Sequence, residues 1–269
     1  RIAASDLLGM SDVLTVGDGL SELASATVHA TLDVARRASG AEQVPEIAVI
    51  GMGRWGGREL SYASDADAMF VMADPVSIDQ DWTKIAGSVI SEMRRLLTRP
   101  SADPPLSIDA DLRPEGKGGA LIRTLTAYRN YYSRWSSTWE MQALVRADAM
   151  AGSPALGQEL MALIDQKRWP EGGLSASQVH EIRRLKARVD AERLPRGADP
   201  AKHTKLGPGG LADVEWTVQL LQLQHAHRVP ELRTSRTIEA LRAARVAGLI
   251  DPQDAGHLEA AWLLASKIR

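Results

Sequence analysis

Four aspartates offer the clearest chemistry. Asp65 and Asp67 stand two apart at the head of the apolar run that ends at Ala73, and Asp109 and Asp111 repeat that spacing within Leu106–Leu112. Along a strand, residues i and i+2 share a face, so each pair is expected to project together. Two neighbouring strands marked in this way would bring three or four carboxylates to one point. Hard oxygen donors suit magnesium, which takes one or two carboxylates and completes its shell with phosphate oxygens and water. The expected metal ligands are therefore Asp65, Asp67, Asp109 and Asp111, and the expected chemistry is phosphoryl or nucleotidyl transfer.

Gly51, Gly53 and Gly56 compete with that expectation, because they spell G-x-G-x-x-G straight after the apolar run Ile47–Ile50. A dinucleotide-binding turn needs a long helix after its glycines, crossing back to a parallel strand, and an acidic residue about 20 positions on. Between Gly57 and Asp65 only RELSYAS intervenes, two helical turns at most, and the late acid is the Asp74-Pro75 end of a strand that aspartates have already opened. The dinucleotide reading fails for lack of room. Gly56 and Gly57, ahead of Asp65, are instead expected to let backbone N–H groups approach phosphate oxygens.

The elements that must position these residues follow from periodicity. Apolar residues from 18 to 38 recur at helical spacing and stop at Gly40, a plausible C′ residue. Strands are expected at Glu46–Gly51, Ala66–Ala73 and Leu106–Leu112, with an amphipathic helix from Trp82 to Leu97 between the last two. After residue 120 the pattern predicts only helices, at 124–133, 137–150, 154–167, 177–194, 211–228, 234–247 and 252–269. Ser177 is a candidate cap, and Asp251-Pro252 supplies a cap and a first-turn proline. The Pro- and Gly-rich stretch 168–177 is the best boundary. It separates an α+β domain with lead-in helices, residues 1–170, from an all-α helical bundle, residues 171–269.

Composition narrows the partners. The 269 residues are 44% hydrophobic, enough for two modest cores. Lys plus Arg number 32 against 34 Asp plus Glu, so no basic field would gather nucleic acid. There is no cysteine, no apolar run approaching the roughly 18 residues of a spanning helix and no secretory signal at the start. The expectation is a cytoplasmic protein with neither nucleic-acid nor membrane partners. Lacking an initiator methionine, and ending while a helical period still runs, the chain is expected to be a piece of a longer polypeptide.

Gly-Gly, a short helix, Asp-x-Asp on a strand and another Asp on a later strand is the order of the nucleotidyltransferase (DNA polymerase beta-like) fold. More specifically, GMGRWGGRELSYASDADAMF resembles the Gly-x-Gly-x-x-Gly-Gly-x-Glu-Leu…Ser-Asp-x-Asp signature of the glutamine synthetase adenylyltransferases. IDADLRPEGKGGAL is similar to that family's Asp-x-Arg-Leu-Arg-Pro segment, with Asp111 where many members have Arg. STWEMQALVRADAM and KLGPGGLADVEWTVQLLQL resemble its Trp-Glu-x-Gln-Ala-Leu and Gly-Gly-Ile-x-Asp-Ile-Glu helices, in family order.

The resemblance implies an enzyme with two such halves, one adenylylating a tyrosine of glutamine synthetase and one removing AMP by phosphorolysis, with a nitrogen-sensing signal protein as regulator. Trp139–Leu144 and Ala212–Glu215 look more like the adenylylating half, while Lys205-Leu206-Gly207 is similar to the other. It further implies MgATP as the substrate complex, Asp65, Asp67 and Asp109 as the catalytic set, and Gly56, Gly57, Ser64, Arg113 and Lys117 around the nucleotide. A rival of another class is a non-catalytic half that docks regulators.

Plainer roles stand beside each of these. Asp65 and Asp67 would also suit a solvated strand start, Asp111 a salt bridge with Arg113, and Glu59 a helix cap. Asp213 and Glu215 complement a helix macrodipole without further function. Trp139, Trp216 and Trp262 fall on helical stripes and read as core, and His225 and His227, i and i+2 on a helix, read as surface residues.

Overall fold

The computed structural model describes residues 1–62, 64–77, 81–101, 104–135 and 137–268. In chain order its elements are α1 (Ile2–Leu7), α2 (Val13–Ala38), β1 (Ile47–Gly51), the single turn α3 (Gly53–Gly56), β2 (Ala66–Met72), α4 (Trp82–Leu97), β3 (Ile108–Asp109), β4 (Ile122–Thr124) and α5 (Leu125–Arg134). Then come α6 (Thr138–Leu144), β5 (Asp148–Gly152), α7 (Pro154–Arg168), α8 (Ala176–Glu192), α9 (Leu211–His225), α10 (Thr237–Val246) and α11 (Pro252–Ile268). The architecture is α+β, and the chain forms two compact units. The first comprises Arg1–Ala3, Leu14–Ser136 and Arg146–Ile164, the second Ala4–Val13, Ser137–Val145 and Asp165–Arg269.

The first unit is built on a mixed sheet. β1 runs antiparallel to both β2 and β5, while the other edge of β2 is shared by two parallel partners, β3 beside Ala66–Asp67 and β4 beside Phe70–Met72. An antiparallel β1–β2 pair rules out a dinucleotide-binding βαβ unit, which needs parallel strands. One face of the sheet, carrying Ile47, Val49, Ala66, Ala68, Phe70 and Met72, packs with Val28, Leu32 and Ala35 of α2 and Ala86, Ile90 and Met93 of α4 into a single core. α4 spans the predicted residues, capped by Asp81, which accepts from Lys84 N at 3.0 Å. Gly40, at φ +66°, is the left-handed residue beyond α2.

Three expectations about this unit are corrected. The strand predicted over Leu106–Leu112 shrinks to Ile108–Asp109, because the Asp109 carboxylate accepts from Asp111 N at 2.7 Å and turns the chain. Asp111 therefore leaves the strand and loses the face it would have shared with Asp109. Two strands appear where only helix was expected, β4 and β5. Asp148–Gly152 reads DAMAG, without a β-branched residue, and is a strand because it fills the open edge of β1. The helix predicted over 137–150 accordingly stops at Leu144. Lastly, the turn of helix lies at Gly53–Gly56, ahead of Gly57; the expected helix over RELSYAS is absent from its described residues, Ala63 lying outside them.

In the second unit Met141, Val145, Trp169, Ile182, Leu223, Leu232 and Ala244 form the core. α8 is capped by Ser175, which accepts from Gln178 N at 3.3 Å, displacing the expected Ser177 by half a turn. Asp251 caps α11 through Gln253 N at 2.8 Å, as read, and α11 ends at Ile268, with Arg269 outside the described residues. Trp262 is buried and Trp216 packs on the core, whereas Trp139 is half-buried. His225 and His227 are also half-buried rather than on the surface. Asp213 accepts from Gly209 N at 2.7 Å and pairs with Lys186, whose amine also reaches Asp190 at 2.7 Å. Burial works against charge on Lys186, but these two carboxylates outweigh it and raise its pKa above the ordinary lysine value. No described helix is long and apolar enough to cross a membrane.

Candidate active site

β3 pairs with β2 so that Asp67 lies opposite Asp109 and Ala66 opposite Ile108. In a parallel pair, residues in register share a face, about 4.8 Å apart. Because Ala66 and Ile108 enter the core, both aspartates stand on the other face of the sheet. Asp65, exposed and one residue ahead of β2, lines a cleft of about 430 Å³. Asp109, Asp111, Arg113 and Lys117 line the same cleft. The sheet thus brings Asp65, Asp67 and Asp109 to one end of β2. It does so with little structure: β3 is two residues long, held by Ala66 N donating to Ser107 O at 2.9 Å and by Arg94 donating to Ile108 O at 3.1 Å.

Asp67 is half-buried, and its backbone oxygen accepts from Met52 N at 2.8 Å, tying β2 to the turn that opens α3. Gly53 follows at φ +52°, and a Cβ there would run into the Asp67 carboxylate. Two independent requirements therefore fix glycine at position 53. Sequence reading had placed it only within a glycine pattern.

Gly56 and Gly57 do something other than expected. Their N–H groups already donate, to Met52 O at 3.0 Å and Gly53 O at 3.1 Å, so they are not offered to a phosphate. What the two positions need is space. A Cβ on Gly56 would strike the Arg146 and Gly51 carbonyls, and one on Gly57 would strike the Arg146 guanidinium. Arg146 in turn pairs with Glu59, both side chains almost wholly buried. Glu59 is neither a helix cap nor at the cleft. The pair escaped sequence reading because Arg146 was assigned to a helix that ends before it.

Of the remaining residues, Ser64 is knitted to Ser61, with its Oγ 2.7 Å from Ser61 Oγ, and so fixes the approach to Asp65. Arg113 donates to Gly119 O at 3.1 Å, Ala110 O at 2.6 Å and Lys117 O at 3.0 Å, which makes it the staple of its own loop. Asp111 sits 3.2 Å from Lys117 Nζ and 3.9 Å from Arg113, in the salt-bridge arrangement that its neighbours suggested. Lys117 is otherwise exposed. Asp74 accepts from Thr126 N and Oγ1 at the start of α5, a structural task that removes it as a ribose partner.

The donor set suits magnesium. Among the described residues no three acidic or histidine side chains close into a preformed metal cage. Paired aspartates beside an open cleft match an ion that takes a carboxylate or two from protein and the rest of its shell from phosphate and water.

Comparison with known proteins agrees with the motifs. Residues 1–162 match the model of the glutamate-ammonia ligase adenylyltransferase family, and residues 182–269 match that of GlnD PII-uridylyltransferase. A bifunctional glutamine synthetase adenylyltransferase/adenylyl-removing enzyme of Streptomyces avermitilis is 57% identical over 94% of this chain and 26% of its own length. Proteins of the same name from Streptomyces coelicolor, at 52%, and Mycolicibacterium smegmatis, at 54%, align with the whole chain and with 28% and 27% of their own lengths. The chain spans about a quarter of the length of these curated relatives. On the match over residues 1–162, the chain belongs to the glutamate-ammonia ligase adenylyltransferase family.

Proposed function

We propose that the Asp65, Asp67 and Asp109 centre transfers AMP from ATP to a tyrosine hydroxyl of glutamine synthetase, releasing pyrophosphate. The observation that carries this reading is the register of Asp67 with Asp109 on the face of the sheet opposite the core. Asp65, Asp67 and Asp109 would hold magnesium together with the ATP phosphates, and the bound metal would supply charge neutralisation at the α-phosphate and the departing pyrophosphate. Asp109, one oxygen of which accepts from Asp111 N, or the metal that it would hold, would help deprotonate the acceptor phenol, whose free pKa is near 10. Lys117, exposed at the rim, can swing from Asp111 to phosphate oxygens. Gly53, Gly56 and Gly57 serve by close packing, seating Asp67 and the Arg146–Glu59 pair. The setting is cytoplasmic nitrogen control under a nitrogen-sensing signal protein.

The relatives' name joins adenylylation to adenylyl removal, and phosphate in place of tyrosine would run the same centre toward ADP. The forward direction is favoured by Trp139–Leu144 and Ala212–Glu215, which resemble the adenylylating half. Incubating the chain with glutamine synthetase and ATP labelled in the α-phosphate tests it. Label entering protein supports the reading. Release of ADP from pre-modified protein, with no label incorporated, reverses it.

A further inference from the structure

A second cleft, of about 670 Å³, is lined by Glu115, Arg123, Asn130, Tyr131, Arg134 and Trp135. α5 supplies most of it and lies on the face of the sheet that carries the aspartates. Tyr128 donates to Phe70 O at 3.1 Å and Tyr132 to the Met69 sulfur at 3.8 Å. Met69 follows Asp67 by one strand repeat, about 7 Å, on the same face. The loop 113–119 contributes to both clefts, Arg113 and Lys117 to the first and Glu115 to the second.

The chemistry of the second cleft is that of an interface. Trp135 is 71% exposed, an unusual state for so large an apolar ring. Tryptophan, tyrosine and arginine together are the residue types that dominate binding energy between proteins. α5 carries no acidic residue, and Arg134, which lines the cleft, pairs with no carboxylate among the described residues. Arg123 differs, being held by Glu115 and lying 5.4 Å from the Tyr131 ring centre. The fold thus neutralises the arginine nearest the sheet and leaves Arg134, at the far end of α5, uncompensated.

We propose that this cleft docks the acceptor segment of the protein substrate, seating an apolar side chain against Trp135 and an acidic residue near the acceptor tyrosine against Arg134. The proposal rests on the AMP-transfer reading and deepens it, by assigning the protein half of the substrate to the cleft that shares the 113–119 loop with that of the aspartates.

The test uses the full chain with Arg134→Glu and Trp135→Ala, both exposed positions whose replacement leaves the core untouched. Binding to glutamine synthetase is measured without nucleotide, and ATP binding with magnesium is measured separately. Expected is a loss of at least about tenfold in affinity for the protein substrate, with ATP affinity unchanged and weaker salt dependence for Arg134→Glu. Unchanged binding of the protein substrate by both variants overturns the proposal, as does a loss of ATP affinity instead, or no binding by the unaltered chain. If the unaltered chain binds and the variants do not, yet no AMP is ever transferred, the docking surface stands and the functional reading falls.

Discussion

Asp67 and Asp109 face each other across two parallel strands, one buried at every residue but Asp67 and the other two residues long. On the proposed reading, opposed in this way they would share a divalent cation. Asp67→Asn or Asp109→Asn should lower kcat for AMP transfer by at least about 100-fold, the scale of losing one preorganised electrostatic stabiliser. Because neither carboxylate is in the core, thermal unfolding of the variants should match that of the unaltered chain. Steady-state kinetics beside calorimetric melting checks both halves. A variant retaining more than a tenth of its turnover would remove that residue from the centre.

Asp111→Asn should have a much smaller effect, within about threefold, since its partners are Lys117 and Arg113 and exposed ion pairs contribute roughly 0–1 kcal/mol. A loss comparable to that of Asp109→Asn would mark it as a ligand.

Gly53→Ala combines a left-handed backbone with a collision at the Asp67 carboxylate. The backbone conformation alone should cost about 1–3 kcal/mol. Gly40→Ala, at φ +66° with nothing near its Cβ, is the matched control. Both should unfold at lower urea concentration, but only Gly53→Ala should also lose AMP transfer beyond its stability cost.

Breaking the buried Arg146–Glu59 pair by Glu59→Gln or Arg146→Met should destabilise by about 3–5 kcal/mol, because the remaining charge is left buried. Replacing both by apolar residues should cost less than the sum. Urea titration around the double-mutant cycle measures this, and additive single losses would show the two side chains to be independent.

Burial, then the charges of Arg228 and His227, hold His225 below its ordinary pKa of 6.5. The folded state therefore binds fewer protons than the unfolded one between the lowered value and 6.5. Stability should rise with pH through that window and fall as acid is added. His225→Gln should flatten this slope in urea midpoints taken between pH 5 and 8, and an unchanged slope would assign the dependence elsewhere.

Much of the framework was legible because it rests on local pattern. The helical stripe of α4, the Asp251 cap and the apolar run of β2 are written in spacing that the chain reads over a few residues. β5 was illegible for the opposite reason. DAMAG has no strand propensity of its own, and its state is decided by an open edge of β1 about a hundred residues earlier in the chain. The same holds for Gly56 and Gly57, whose need for glycine comes from Arg146, far along the sequence. The length of β3 hinged on one side-chain acceptor, Asp109, that competes with the ladder. Asp65 and Asp67 were visible as a pair, but their register with Asp109 is a tertiary fact.

The chain passes from the first unit to the second at 136/137, returns at 145/146 to lay down β5, and leaves again at 164/165. Neither unit is consequently a contiguous stretch of polypeptide, and no single cut releases a whole one. On the ribosome, the strand that closes the sheet emerges only after α6 has been made, while most of the core α6 belongs to is still unsynthesised. The first unit can close its sheet once residue 164 is made, with α6 held out as an excursion that waits for residues 165–269 to supply its core partners.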